Sequence, residues 1–494
     1  MLMPEPEGKI LAQRLGLLDD LCAIVPGEGV IADLIALRAY ESDGLSAYRQ
    51  VPMAVVLPER VDQVAAIMQL CDRRRIKVVP RGAGTSLSGG ALPLEDGIIL
   101  GLGKFNKILE IDYENRAVRV QPGVTNLGIS QAVDGEGFYY APDPSSQIAC
   151  SIGGNVAENA GGVHCLKYGV TTNNLLGLEM VLLSGEIIRL GGKHLDSGGY
   201  DIMGLLTGSE GLLGVVTEIT VRILKKPETA RALLIGFPSS EQAGDCVGKV
   251  IGGGIIPGGM EMMDRAAIHA SEEFCHAGYP LEAEALLIVE LDGPGREVDH
   301  LIEQVGAIAT ACGSTSLRIS ETETERTAFW AGRKAAFPAI GRISPDYMCM
   351  DGTIPRNRLP EVLKRMRELS EHHGLRVANV FHAGDGNLHP LILFDANAGE
   401  LETAEEFGAD ILRLCVEVGG VLTGEHGVGV EKRDLMGEVF TEEDLAQQQR
   451  VKCAFDPNGR LNPGKVFPVL HRCAELGQMV VHQGQMPFPD LPRF

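Results

Sequence analysis

Five turn-rich loops, four of them dense in glycine, crowd the stretch from Arg81 to Gly214, and any fold for this chain must find a use for them together. They read Arg81-Gly82-Ala83-Gly84-Thr85-Ser86-Leu87-Ser88-Gly89-Gly90, Pro142-Asp143-Pro144-Ser145, Ser151-Ile152-Gly153-Gly154-Asn155, Asn159-Ala160-Gly161-Gly162 and Gly208-Ser209-Glu210-Gly211-Leu212-Leu213-Gly214. The first leaves the second strand of a predicted β-α-β unit, with a strand over 51–57, a helix over 59–75 and a strand over 76–80. Its sixth position is Leu87 rather than glycine, and it does not follow the first strand. Both facts set it apart from the Rossmann dinucleotide fingerprint, and a Walker A pattern is absent too. Taken singly, each loop reads equally well as a tight surface turn. Taken together, they bring backbone N–H groups close to one anionic ligand, which suits the pyrophosphate of a dinucleotide.

At 494 residues the chain is long enough for about two to four structural units. Hydrophobic residues make up 45%, so a large core is within reach. A formal charge of -22 makes nucleic acid an unfavourable partner. The 11 cysteines include no CxxC pair, which argues against an iron–sulfur cluster or structural zinc and fits free thiols in a reducing cytoplasm. The start has neither a basic nor an apolar segment of the secretory kind, and no apolar run reaches a bilayer-spanning ~18 residues. The expectation is a cytoplasmic chain that touches a membrane only through partners.

Further strands are predicted over 97–102, 108–112, 117–122 and 178–183, with more structure over 208–224. Beyond Lys225-Lys226-Pro227-Glu228, strands over 230–237, 286–292 and 316–320 alternate with helices over 240–252, 298–311 and 360–373. These readings divide the chain into a helical segment (1–50), a glycine-loop domain (51–228), a second α+β domain (229–440) and a tail (441–494). Within the tail, Asn462-Pro463-Gly464-Lys465 resembles a return to the first domain.

Chemistry is written most densely in Phe381-His382-Ala383-Gly384-Asp385-Gly386-Asn387-Leu388-His389. An Asp-Gly pair is a strong signal for a two-residue hairpin turn. Such a turn sets His382 opposite His389, with Cβ atoms roughly 4.5–5.5 Å apart. That suits two ligands on one divalent metal, and Gly424-Glu425-His426-Gly427 is positioned in sequence to complete the site. Either histidine alone reads as a structural residue, and Asp385 and Asn387 read as turn formers. Neighbours on a straight strand face opposite ways, so Glu425 and His426 converge only if the flanking glycines let the chain turn.

The run from Pro80 to Pro93, together with 142–162, 207–214 and 462–465, resembles the flavin-linked oxidases of vanillyl-alcohol-oxidase type. Over 139–169 and 329–395, and on to Pro487-Phe488-Pro489, the chain is similar to the D-type flavoprotein subunits of bacterial glycolate oxidases. This resemblance implies an α+β fold: a two-subdomain FAD-binding domain of p-cresol-methylhydroxylase (PCMH) type, an α+β substrate or cap domain, and a C-terminal segment returning to the first. It implies one FAD near Pro80, Arg81, Gly82, Ala83, Gly84, Thr85, Ser86, Gly89, Pro142, Asp143, Ser151, Gly153, Gly154, Asn155, Ala157, Gly161, Glu210, Gly214, Val216 and Asn462. Relatives with covalent FAD often place a histidine where this chain has Thr85, so noncovalent FAD is expected.

The resemblance further implies a metal on His382, His389 and Glu425, with His426 as base. Zinc suits that donor set, with iron and manganese as alternatives. Arg333 matches the position that binds the substrate carboxylate, although beside Trp330 it also reads as a stacking or helix-capping residue. His164, inside a glycine loop, reads as a backbone partner. Branches acting on longer 2-hydroxyacids carry an Asn where this chain has Leu391, and a Lys within the segment here reading 346–350. The implied reaction is glycolate to glyoxylate, with D-lactate to pyruvate as the alternative. The implied partners are a second flavin-type subunit and an iron–sulfur subunit that pass electrons to membrane quinone.

Overall fold

Val55, Ile99 and Val79 lie side by side in a four-stranded sheet ordered Val30–Ile31, Ala54–Val56, Gly97–Gly101, Lys77–Arg81. The computed structural model describes residues 3–194 and 198–468. The last three strands are parallel, so the two strands of the predicted β-α-β unit are not neighbours; Gly97–Gly101 is inserted between them. The crossover helix Val61–Arg74 buries Val64, Ile67, Met68 and Cys71 on this sheet. That spacing is one face of a 3.6-residue period. The chain after Phe455 comes back here: Leu461 bridges Val78 in parallel, and the amides of Val78 and Asn462 bond across at 2.8 Å each. The tail beyond 468, including Pro487-Phe488-Pro489, lies outside the described residues.

A second, antiparallel sheet runs Ile108–Asp112, Ala117–Val120, Val215–Arg222, Leu175–Val181, Ile187–Gly191. Its inner face (Val118, Val120, Leu178, Ile219) packs against Ile152 and Val156 of the short helix Ile152–Glu158. Those two contacts fix the helix, and with it the glycine pair at its start.

The second half builds a seven-stranded antiparallel sheet ordered Ser316–Ile319, Thr229–Phe237, Ala285–Gly293, Gly259–Asp264, Arg376–Phe381, Pro390–Phe394, Asp346–Cys349. Helices cover both faces, and strand alternation assigns the layers. Leu233, Ile235 and Phe237 face the helices Ser240–Gly252, Gly295–Ala311, Leu359–His373 and Leu401–Glu417. Ala232 and Leu234 face Arg265–Cys275, Glu323–Lys334 and Ala336–Ile340. Nine of the described cysteines are free thiols, while Cys453 is disulfide-bonded, an exception to the all-free expectation. Among the described residues no helix is long and apolar enough to cross a membrane.

Candidate active site

The loop after Lys77–Arg81 and the start of the helix Ile152–Glu158 meet closely. A Cβ on Gly82 would stand 2.1 Å from Ser151 Oγ, so only glycine allows this approach. Ser151 caps the helix by accepting from Gly154 N–H. Around this meeting lies a cavity of about 520 Å³. Fifteen of the residues that the sequence set around a cofactor line it: Pro80, Arg81, Gly82, Ala83, Gly84, Thr85, Ser86, Ser151, Gly153, Gly154, Asn155, Ala157, Glu210, Gly214 and Val216. Gly89, Pro142, Asp143, Gly161 and Asn462 are not among the lining residues. Gly89 packs against Val430, and Gly161 packs against the Glu425 carboxylate. The Pro142 carbonyl accepts from Asn126, and the Asp143 carboxylate accepts from His164. Asn462 donates to the carbonyls of Gly90 and Glu210.

His389, Glu425 and His426 open on this same cavity from the other half of the chain, beside Lys334, Phe337 and Pro338. The hairpin that carries the histidines differs from the two-residue turn read from Asp385-Gly386. His382 bridges Asn387, continuing the register in which Asn379 pairs with Pro390. The connection therefore has four residues, 383–386. Its amides are already committed: Gly384 donates to Met260, and the Gly386 carbonyl accepts from Ile354. The shift preserves the face, because both strands keep their alternation, so the two histidines become diagonal neighbours. Their ring centroids lie 4.9 Å apart.

Both imidazoles aim Nε2 at one oxygen, Glu425 Oε1, His382 at 3.2 Å and His389 at 3.4 Å. His382 is held from behind by Glu261 Oε1, 2.8 Å from its Nδ1. Glu261 Oε2 in turn accepts from Arg333 Nε at 2.8 Å. Arg333 is only 1% exposed, does not line the cavity, and keeps Nη1 without a partner among the described residues. Burial opposes charge on His382, yet Glu261 and Glu425 hold its pKa well above the usual imidazole value. Burial works against Glu425 as well, but the histidines bring it down to about 2. Two imidazole nitrogens and a carboxylate oxygen facing one point form a donor set that fits a divalent metal.

His426 stacks on His389, with centroids 4.7 Å apart and planes 8° from parallel. Its Nε2 stands 4.0 Å from Glu425 Oε1, and its Nδ1 has no partner among the described residues. Burial dominates here and pushes the His426 pKa down to about 4, so the ring is neutral near neutral pH, with one nitrogen unprotonated.

Sequence reasoning missed the residue that lets Glu425 and His426 point the same way. Asp351, fully buried, accepts from the amides of Gly424 at 3.1 Å, Glu425 at 3.2 Å and His426 at 2.9 Å, and from Lys432 Nζ at 3.1 Å. Three successive amides on one carboxylate curl the chain, and Gly427 finishes the turn at φ +82°. In sequence, Asp351-Gly352 reads as an ordinary turn. Glu261 was legible as a lone charge in the apolar run Gly259-Met260-Glu261-Met262-Met263, a pattern that marks a paired buried group.

Residues 52–191 match the family model described as an FAD binding domain, and residues 226–466 match that of the FAD linked oxidases, C-terminal domain. The chain belongs to the FAD-linked oxidases. Among members of this family it is 58% identical to glycolate oxidase subunit GlcD of Escherichia coli (strain K12), over 97% of each chain. A D-lactate dehydrogenase of Archaeoglobus fulgidus is more distant, 34% identical over 91% of this chain and 98% of its own. The fold is shared with 4-ethylphenol oxidase from Gulosibacter chungangensis, at TM-score 0.80 and 19% identity, covering 96% of this chain and 100% of that one. As an FAD-linked oxidase the chain is a flavin-dependent oxidoreductase, and the cavity agrees with that. Its glycine walls leave room where side chains would fill it.

Proposed function

We propose that this chain oxidises glycolate to glyoxylate, with noncovalent FAD as the immediate electron acceptor. The observation that carries the reading is the single cavity shared by the glycine loops of one half and by His389, Glu425 and His426 of the other. The 58% identity to a glycolate oxidase subunit supports the choice of substrate. When bound, FAD supplies a two-electron acceptor, and a divalent metal, for which zinc suits the donors best, supplies a Lewis acid beside the substrate hydroxyl.

His382, His389 and Glu425 are the residues that hold the metal. Glu261 accepts from His382 Nδ1, which leaves Nε2 as the ligand atom. His426 takes the hydroxyl proton at Nε2. Lys334 is the cation on the cavity wall for the substrate carboxylate, and Arg333, buried behind the wall, braces Glu261. Phe337 and Pro338 keep water from the reacting face. Leu391 is buried in the apolar core, and residues 346–350 carry no lysine. The absence of a clamp at those two places favours a small substrate over one with a distal carboxylate. A second flavin-type subunit and an iron–sulfur subunit take the electrons onward to membrane quinone, and through them the chain sits at the cytoplasmic face of the inner membrane.

Anaerobic stopped-flow bleaching of the flavin, with glycolate and D-lactate in parallel, tests this. The expected result is fast bleaching by glycolate that chelation abolishes and added metal restores. Fast bleaching by D-lactate alone would keep the chemistry and change the substrate. Bleaching indifferent to chelation would remove the metal from the reaction.

A further inference from the structure

Glu158, which no step above uses, ends the helix Ile152–Glu158 with its carboxyl group in the cavity wall beside Ser86 and Gly90. Oε1 lies 3.4 Å from Ser86 Oγ, while Oε2 is buried and has no partner among the described residues. The head group points toward the reacting end, since a Cβ on Gly427 would stand 2.2 Å from Glu158 Oε2, and Gly427 follows His426.

Glu210 is the informative contrast. Its carboxylate converges on the same glycine, yet it accepts from Val428 and Gly429 N–H at 2.7 Å each. Glu210 thus has the donors that a charged carboxylate requires, whereas Glu158 has only the Ser86 hydroxyl, at 3.4 Å. Among the described residues no ion pair joins Glu158 to a cation. The nearby lysines are committed elsewhere, Lys432 to Asp351 and Lys465 to the Leu92 carbonyl and Asn462. A buried carboxyl group with one long hydrogen bond and an unpartnered second oxygen, beside another carboxylate, favours its neutral form.

We infer that Glu158 stands as a neutral carboxylic acid and donates a hydrogen bond from its unpartnered oxygen to an acceptor atom of the flavin ring. In that role it stabilises the negative charge that builds on the ring when two electrons arrive. A fixed donor aimed at developing charge in a dry site is among the stronger devices available to an enzyme. Burial, then the neighbouring Glu210 and Asp43, holds the Glu158 pKa well above the ordinary carboxylate range, in keeping with that placement. The inference rests on the flavin and not on the identity of the substrate.

The test uses the FAD-loaded chain without substrate. The ratio of reduced to oxidised flavin is read at equilibrium with a reference dye for wild type, Glu158→Gln and Glu158→Leu. Gln keeps a donor at the same place, so its ratio is expected within about threefold of wild type. Leu removes the donor and is expected to lower the ratio about tenfold, which is ~30 mV for a two-electron couple. A Leu variant matching wild type would overturn the inference. So would a Gln variant at least about tenfold easier to reduce, because that gain would mean Glu158 is charged in the wild type. If the Leu variant sheds its flavin, the Gln variant decides alone by the same criterion.

Discussion

Asp351 makes the reacting end possible without lining the cavity, its Oδ1 lying 3.4 Å from His389 Nε2. Its carboxylate draws the amides of Gly424, Glu425 and His426 to one side, so a ligand and a base can be sequence neighbours. Burial disfavours its charge, but Lys432, His426 and His389 hold its pKa well below the usual range. The turn is therefore anchored by an ionised group rather than by a neutral one. Two predictions belong at this scale. His426→Ala is expected to retain FAD and metal while slowing flavin reduction by about 10²-fold or more. Near-normal single-turnover reduction in that variant would remove His426 as the base. Arg333→Lys is expected to lower kcat for glycolate, because an ammonium cannot give Glu261 both contacts of the guanidinium fork. If KM and kcat both stay put, Glu261 does not depend on that fork.

At the scale of elements, the strand Gly259–Asp264 joins the metal-ligand hairpin to the substrate helix. Glu261 takes His382 from the hairpin with one oxygen and Arg333 from the helix Glu323–Lys334 with the other. Glu261→Gln keeps the shape but not the charge, and is expected to weaken metal binding by about 10–100-fold. Competition with a chromophoric chelator measures this, and unchanged affinity would make Glu261 dispensable to the centre. These elements also show what was legible beforehand. His382 and His389 could be paired from the Asp385-Gly386 turn because strand alternation preserves a face even when the loop is misjudged. The register itself was not legible. It depends on Met260 and Ile354, which take up the loop's backbone groups from strands and turns remote in sequence. The glycine loops were readable as a set because each needs a neighbour close to its backbone. Gly89, Gly161 and Asn462 do not line the cavity. They shape the wall from behind, a distinction only the packing supplies.

At the scale of the whole molecule, the cavity exists only while the two halves stay together, and one short segment does much to join them. His164 lies between Asp143 of its own half, 2.9 Å from Nδ1, and Glu290 of the other, 3.2 Å from Nε2. Three residues on, Lys167 pairs with Asp292 at 2.8 Å. Burial works against charge on His164, yet Asp143 and Glu290 outweigh it and push the pKa up to about 10 from 6.5. A raised histidine pKa contributes stability that is full below the unfolded value and fades as pH climbs through the folded one. Glu290 behaves oppositely. Burial raises its pKa, but His164 and Arg326 hold it at about 2, so its share is lost only in strong acid, from 4.5 downward. The joint should therefore be strongest from mildly acidic to neutral pH and weaken on the alkaline side. His164→Gln leaves Glu290 with Arg326 and Trp330, so the variant is expected to fold and bind FAD with a Tm a few degrees lower. The decisive measurement is the Tm difference between wild type and variant across pH. It should be largest near pH 6 and shrink toward zero as pH approaches 10. A difference that stays constant over that range would mean that His164 joins the halves by shape and neutral hydrogen bonds rather than by its charge.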